Sequence, residues 1–126
     1  MRYPATILLV ENGEMLRPLL CAILKREGYK VVEAKDGDEA LAAWEHYQGQ
    51  IDVVITDMVM PNMSGKKLVE RLRLLKPKVK IIYISGYESS LIFANNQFGP
   101  DVAFLQKPFR PVELSKVVRE MLKSQG

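Results

Sequence analysis

The sequence predicts an α/β fold: a parallel β-sheet covered by helices on both faces. Three observations predict it. Strand-like and helix-like patterns alternate strictly, five times, along the 126 residues, and such alternation builds parallel sheets through crossover helices. The strand-like runs are continuously apolar, as in Ile7-Leu8-Leu9-Val10 and Val53-Val54-Ile55-Thr56, which is the pattern of strands buried on both faces. Four of these runs then give way to polar chemistry, at Glu11-Asn12, Asp57, Ser85-Gly86 and Lys107-Pro108.

The elements follow in order. Ile7–Val10 is the first strand. A helix is expected from about Glu14 to Glu27, with Leu16, Leu19, Leu20, Ile23 and Leu24 on one face, stopped by Gly28 just past its end. Lys30–Ala34 is a short strand. Asp36-Gly37-Asp38 is a turn and helix start, followed by Ala40, Leu41 and Trp44 at helical spacing. Val53–Asp57 is the third strand. Ser64 can cap a helix that runs to about Lys76, with Leu68, Leu72 and Leu75 as its apolar face and Pro77 beyond it. Val79–Ile84 is the fourth strand, and a weaker helical pattern covers about Ser89–Gln97 before Gly99-Pro100. Val102–Leu105 is the fifth strand. Pro111 opens a last helix with Leu114, Val117, Val118, Met121 and Leu122 as its stripe.

Right-handed crossovers leave few topologies for five parallel strands. The flavodoxin-like order 2-1-3-4-5 sets the first and third strands side by side at the switch point, where open α/β sheets keep their sites. Glu11-Asn12 and Asp57 become neighbours, with Ser85 and Lys107 along the same edge. A carboxylate ringed by an acid, an amide, a hydroxyl and an ammonium suits phosphoryl chemistry. No repeat, linker or second composition is visible, so residues 1–126 are expected to form one domain with an ordered core over about 6–123.

Composition narrows the function classes. No apolar stretch approaches a bilayer span, and Met1-Arg2-Tyr3-Pro4 lacks the apolar run of a signal peptide, so a cytoplasmic protein without a membrane partner is expected. The single Cys21 excludes a disulfide within the chain and is expected to be a half-buried, inert thiol. A net charge of +3 names no partner. The basic residues Lys66, Lys67, Arg71, Arg73, Lys76, Lys78 and Lys80 fall mostly on the polar side of one helix, and no interleaved aromatics accompany them. They form a solvated face rather than a nucleic-acid surface. Asp52, at the far end of the third strand, is expected at the surface, as is His46; Trp44 and Met58, Met60 and Met63 are packing residues.

Taken together, Ile-Leu-Leu-Val-Glu-Asn at 7–12, Asp-Val-Val-Ile-Thr-Asp-Met-Val-Met-Pro at 52–61, Ile-Ser-Gly-Tyr at 84–87 and Phe-Leu-Gln-Lys-Pro-Phe at 104–109 resemble the receiver domains of two-component response regulators. The last two segments look most like receivers attached to hybrid sensor histidine kinases. The resemblance implies that Asp57 accepts a phosphoryl group from a phosphohistidine on a histidine kinase or histidine phosphotransfer protein. It implies that Glu11, Asn12, Asp57 and the backbone carbonyl of Val59 hold Mg²⁺, that Lys107 binds the phosphate, and that Ser85 and Phe104 form a switch. It further implies a cis Lys107-Pro108 bond, self-catalysed phosphorylation and dephosphorylation, and a readout or homodimer face made by the helix near 89–97, the fifth strand and the last helix. Asp57 is expected to be already ionised at neutral pH.

The chain departs from the receiver pattern at Asn12, where most receivers carry a second acid. A full charge at about 4 Å is worth about 4 kcal/mol at an effective dielectric near 20. Solvent reduces this, so Mg²⁺ binding is expected to weaken by roughly one or two powers of ten. That loss also supports an alternative function, a degenerate receiver serving as a protein-interaction module. Asn12-Gly13 is a turn signal and a pair chemically prone to deamidation. Ser85 stands where Thr is commoner, and Val59 and Tyr87 lie where access of water to the phosphoryl group is tuned.

Overall fold

The computed structural model describes residues 4–86 and 101–123. Its strands are β1 (Thr6–Val10), β2 (Lys30–Ala34), β3 (Val53–Asp57), β4 (Lys80–Ser85) and β5 (Val102–Gln106). Its helices are α1 (Leu16–Arg26), α2 (Gly37–His46), α3 (Gly65–Leu75) and α4 (Pro111–Lys123). The helix expected at 89–97 and Tyr87 lie outside the described residues. All strand pairs are parallel and the order is β2-β1-β3-β4-β5. Among the described residues no helix is long and apolar enough to cross a membrane.

Alternating side chains divide the core into two layers. Ile7, Leu9, Val53, Ile55, Ile82 and Ile84 face Leu20 and Leu24 of α1 and Leu114 and Val118 of α4. Leu8, Val10, Val54, Ile81 and Tyr83 face Ala40 and Trp44 of α2 and Leu68 and Leu72 of α3. Both faces of the central strands are therefore dry, which is why they lack polar alternation.

Local chemistry sets the helix ends. Ser64 and Asp36 accept hydrogen bonds from the backbone N–H groups of Lys67 and Glu39, each satisfying a donor left open by the first turn. Gly28 follows α1 with φ of +97°, a conformation suited to glycine. Helix α1 begins two residues later than the sequence suggests. Met15 at its N-cap offers no capping side chain, and the Glu14 carboxylate is engaged by Arg17. Pro18 falls in the first turn, where its missing N–H costs no bond.

Two surface expectations are corrected. Asp52 is half-buried, and its Oδ2 accepts a 2.7 Å hydrogen bond from Thr6 N, so it ties the start of β1 to the approach to β3. Leu75 is 66 % exposed; it is the last residue of α3 and borders an open groove with Leu41 and Trp44. Cys21 is buried more deeply than half, and burial together with Glu33 raises its pKa, consistent with an inert thiol.

Candidate functional site

The sheet register brings the strand exits level. Val10 pairs with Thr56, Asp57 with Ile84, and Ser85 with Gln106. Backbone bonds continue past the strands: Met58 N donates to Ile84 O at 3.0 Å and Lys107 N to Ser85 O at 2.8 Å. The loops carrying the polar groups are thus fixed to the sheet that positions them.

Glu11, Asn12, Asp57, Val59 and Lys107 line one open pocket of about 350 Å³, together with Gly13, Ile84 and Gly86. Lys107 Nζ lies 3.3 Å from Asp57 Oδ1 and 3.7 Å from Glu11 Oε1. Glu11 and Asp57 are buried, whereas Asn12 and the Val59 side chain are exposed. Ser85 does not line the pocket, and its buried hydroxyl makes no hydrogen bond among the described residues. Phe104 does not line the pocket. It packs on the α2–α3 side of the sheet, its ring stacked on Tyr83 with centroids 5.8 Å apart. The Lys107-Pro108 bond is cis.

Electrostatics here differ from the sequence expectation. Burial and the neighbouring Glu11 push the Asp57 carboxyl up to about 7, against the pull of Lys107. Two carboxylates and one ammonium leave excess negative charge in a poorly hydrated place, so the fold holds the Asp57 proton more tightly than an isolated acid would.

Two residues that shape the site, Arg17 and Gly65, were not singled out in the sequence, and Gly13 was read there only as half of a turn and deamidation pair. Gly13 N donates to Glu11 Oε2 at 2.8 Å, and Arg17 donates to Glu11 O and Glu14 Oε2, both at 2.9 Å. These contacts hold the Glu11 backbone and one side-chain oxygen, while Oε1 stays buried without a hydrogen bond among the described residues. Gly65 packs directly against the backbone of Asp57, where a Cβ would stand 1.9 Å from Asp57 O. A glycine in the first turn of a helix, one residue after a good cap, is the signal that could have found it.

The donors suit a hard dication. They are all oxygens, two of them from carboxylates, and the buried Glu11 Oε1 has the Lys107 ammonium 3.7 Å away but no hydrogen bond among the described residues. Among the described residues no cluster of three or more His, Cys, Asp or Glu exists, so a cation here would complete its shell with the Asn12 amide, a backbone carbonyl and water.

Comparison with known proteins fits this geometry. The family model described as response regulator receiver domain matches residues 7–119. The chain is 40% identical over 121 residues to the sensor kinase CckA of Brucella abortus, covering 96% of this chain and 13% of CckA. It is 31% identical to the response regulator receiver protein CpdR of the same organism, covering 92% of this chain and 95% of CpdR. Among solved structures, the receiver domain of the hybrid histidine kinase CckA superposes with a TM-score of 0.80 at 34% identity, covering 94% of this chain and all of that one. A receiver protein from Sinorhizobium medicae gives a TM-score of 0.85 at 28% identity, with 97% of both chains covered. The chain thus spans a small part of some relatives and nearly all of others. With its sheet order, its strand-end acids and its sequence all in agreement, the chain belongs to the response regulator receiver family.

Proposed function

We propose that Asp57 accepts a phosphoryl group from a phosphohistidine on a histidine kinase or histidine phosphotransfer protein, in a Mg²⁺-dependent step. The observation that carries this reading is the Lys107 ammonium held between the buried carboxylates of Asp57 and Glu11. An ionised Asp57 oxygen attacks phosphorus as the phosphorus–nitrogen bond to histidine breaks, and the pair of electrons stays with the imidazole. Little covalent assistance is needed, so positioning and charge dominate. Lys107 reaches Asp57 from one side and pairs with an oxygen of the arriving group. Glu11, Asn12, Asp57 and the Val59 carbonyl would hold Mg²⁺. When bound, Mg²⁺ supplies positive charge that keeps Asp57 ionised and neutralises charge on the phosphoryl oxygens.

The product carries about one more negative charge and new acceptor oxygens. Ser85, whose hydroxyl has no partner among the described residues, donates to one of them. Its movement frees space for Phe104 to turn on its Tyr83 stack, coupling the site to the β5 surface. That surface, with α4, is the proposed readout or homodimer face. A cytoplasmic setting, where kinases and nucleotide are found, belongs to the same reading.

Incubation with a small acyl phosphate or amidophosphate donor and Mg²⁺, followed by intact mass, tests this. One phosphoryl group is expected on the wild type, and none on Asp57→Asn or without the metal. A wild type that takes no phosphoryl group under any Mg²⁺ concentration would support the degenerate, interaction-only reading instead.

A further inference from the structure

We infer that Asn12-Gly13 is a self-modifying site, at which the Glu11 carboxylate assists conversion of Asn12 into an acid. The nucleophile in asparagine cyclisation is the backbone nitrogen of the following residue. Here that nitrogen belongs to Gly13, and its N–H already points at Glu11 Oε2, 2.8 Å away. The carboxylate sits so close that a Cβ on residue 13 would come within 3.1 Å of the same oxygen. Glu11 is buried and anchored through its carbonyl by Arg17, so the base is held in place. Asn12 is exposed, and no hydrogen bond among the described residues ties down its amide.

The geometry of the peptide makes the two roles compatible. A backbone N–H lies in the peptide plane, while attack on the Asn12 Cγ proceeds from the face of that plane. Gly13 can therefore keep its bond to Glu11 as its nitrogen approaches the side chain. The Gly13 N–Asn12 Cγ bond forms and the N–H proton passes to Glu11 Oε2. The Asn12 amide nitrogen leaves as ammonia, taking that proton back from Glu11, and a succinimide remains. Water adds to either ring carbonyl and opens the ring to aspartate or isoaspartate. Overall one water enters and one ammonia departs, with no redox change.

The chemistry stands without the phosphoacceptor reading; its consequence rests on that reading. The product places a third carboxylate in the pocket, next to Glu11, at the position where the chain carries an amide. The aspartate product would then bind Mg²⁺ more tightly than the fresh protein.

The test ages three samples of the full chain at neutral pH: folded wild type, wild type in urea, and folded Glu11→Gln. Peptide mapping that separates aspartate from isoaspartate follows residue 12. Folded wild type is expected to convert fastest. Its advantage over Glu11→Gln should be about tenfold, below the usual range for positioned bases because a carboxylate is weak toward an amide. Equal rates in wild type and Glu11→Gln would overturn the inference. So would slower conversion in the folded chain than in urea, an arm that needs no variant to fold. Calorimetric Mg²⁺ titration of fresh protein and of the purified aspartate form reads the consequence. Tightening supports it, and unchanged affinity with confirmed conversion would remove the consequence while leaving the chemistry.

Discussion

At the scale of single residues, the site is governed by unbalanced charge. The polar residues of the strand exits were legible in the sequence, but their ionisation was not. An acid in isolation is ionised at pH 7, whereas Asp57 moves from 3.8 to about 7 because folding buries it beside Glu11. The unfolded chain therefore releases the Asp57 proton at lower pH than the folded one. Stability contributed by this group is fully present below about pH 4 and is lost as pH rises through 7. Asp57→Asn removes the penalty. Without metal it should melt higher than wild type at pH 8, by roughly 2 kcal/mol, with the difference shrinking toward pH 4. Thermal melts at the two pH values check this; a constant difference would refute the coupling. Asn12→Asp should tighten Mg²⁺ binding about tenfold in calorimetric titration, since it returns a charge to the pocket rim. Asn12 is exposed, so water screens that charge and the gain stays well below the unscreened value.

At the scale of elements, α3 supports the loop that follows Asp57. Its N-terminus lies against the end of β3, where Gly65 N donates to Met58 O at 2.9 Å and Gly65 leaves no room for a Cβ over the Asp57 carbonyl. Gly65→Ala should therefore destabilise the fold by about 3 kcal/mol or more, since the obstacle is backbone rather than a movable side chain. Ser64→Ala, one residue earlier, should cost only about 1 kcal/mol for the lost cap. Urea denaturation distinguishes them; similar small losses would show that the close approach relaxes freely. The Ser64 cap and the extent of β3 were readable because capping and apolar runs are local signals. The role of Gly65 was not, because it depends on how the loop between β3 and α3 folds the helix start back against the strand end. The start of α1 falls two residues past Glu14, within the usual scatter of helix ends, where Met15 offers no capping side chain.

At the scale of the whole molecule, the sheet order β2-β1-β3-β4-β5 converts four separated stretches of sequence into one pocket. That order was legible because strict strand–helix alternation with right-handed crossovers permits few alternatives. Less legible was the division of labour within the site. Glu11, Asp57 and Lys107 meet directly, Ser85 is buried without lining the pocket, and Phe104 lies on the α2–α3 face stacked on Tyr83. In the proposed switch, a phosphoryl group on Asp57 would reach Phe104 through Ser85 of β4 rather than by direct contact. The most direct measurement is amide and aromatic NMR of the chain as Asp57 is phosphorylated by a small donor with Mg²⁺. The account predicts that signals of Glu11, Ser85, Phe104 and Lys107 shift together, in step with the phosphoryl group appearing on Asp57. Phosphorylation that leaves Ser85 and Phe104 unmoved, or that falls on another residue, would contradict it.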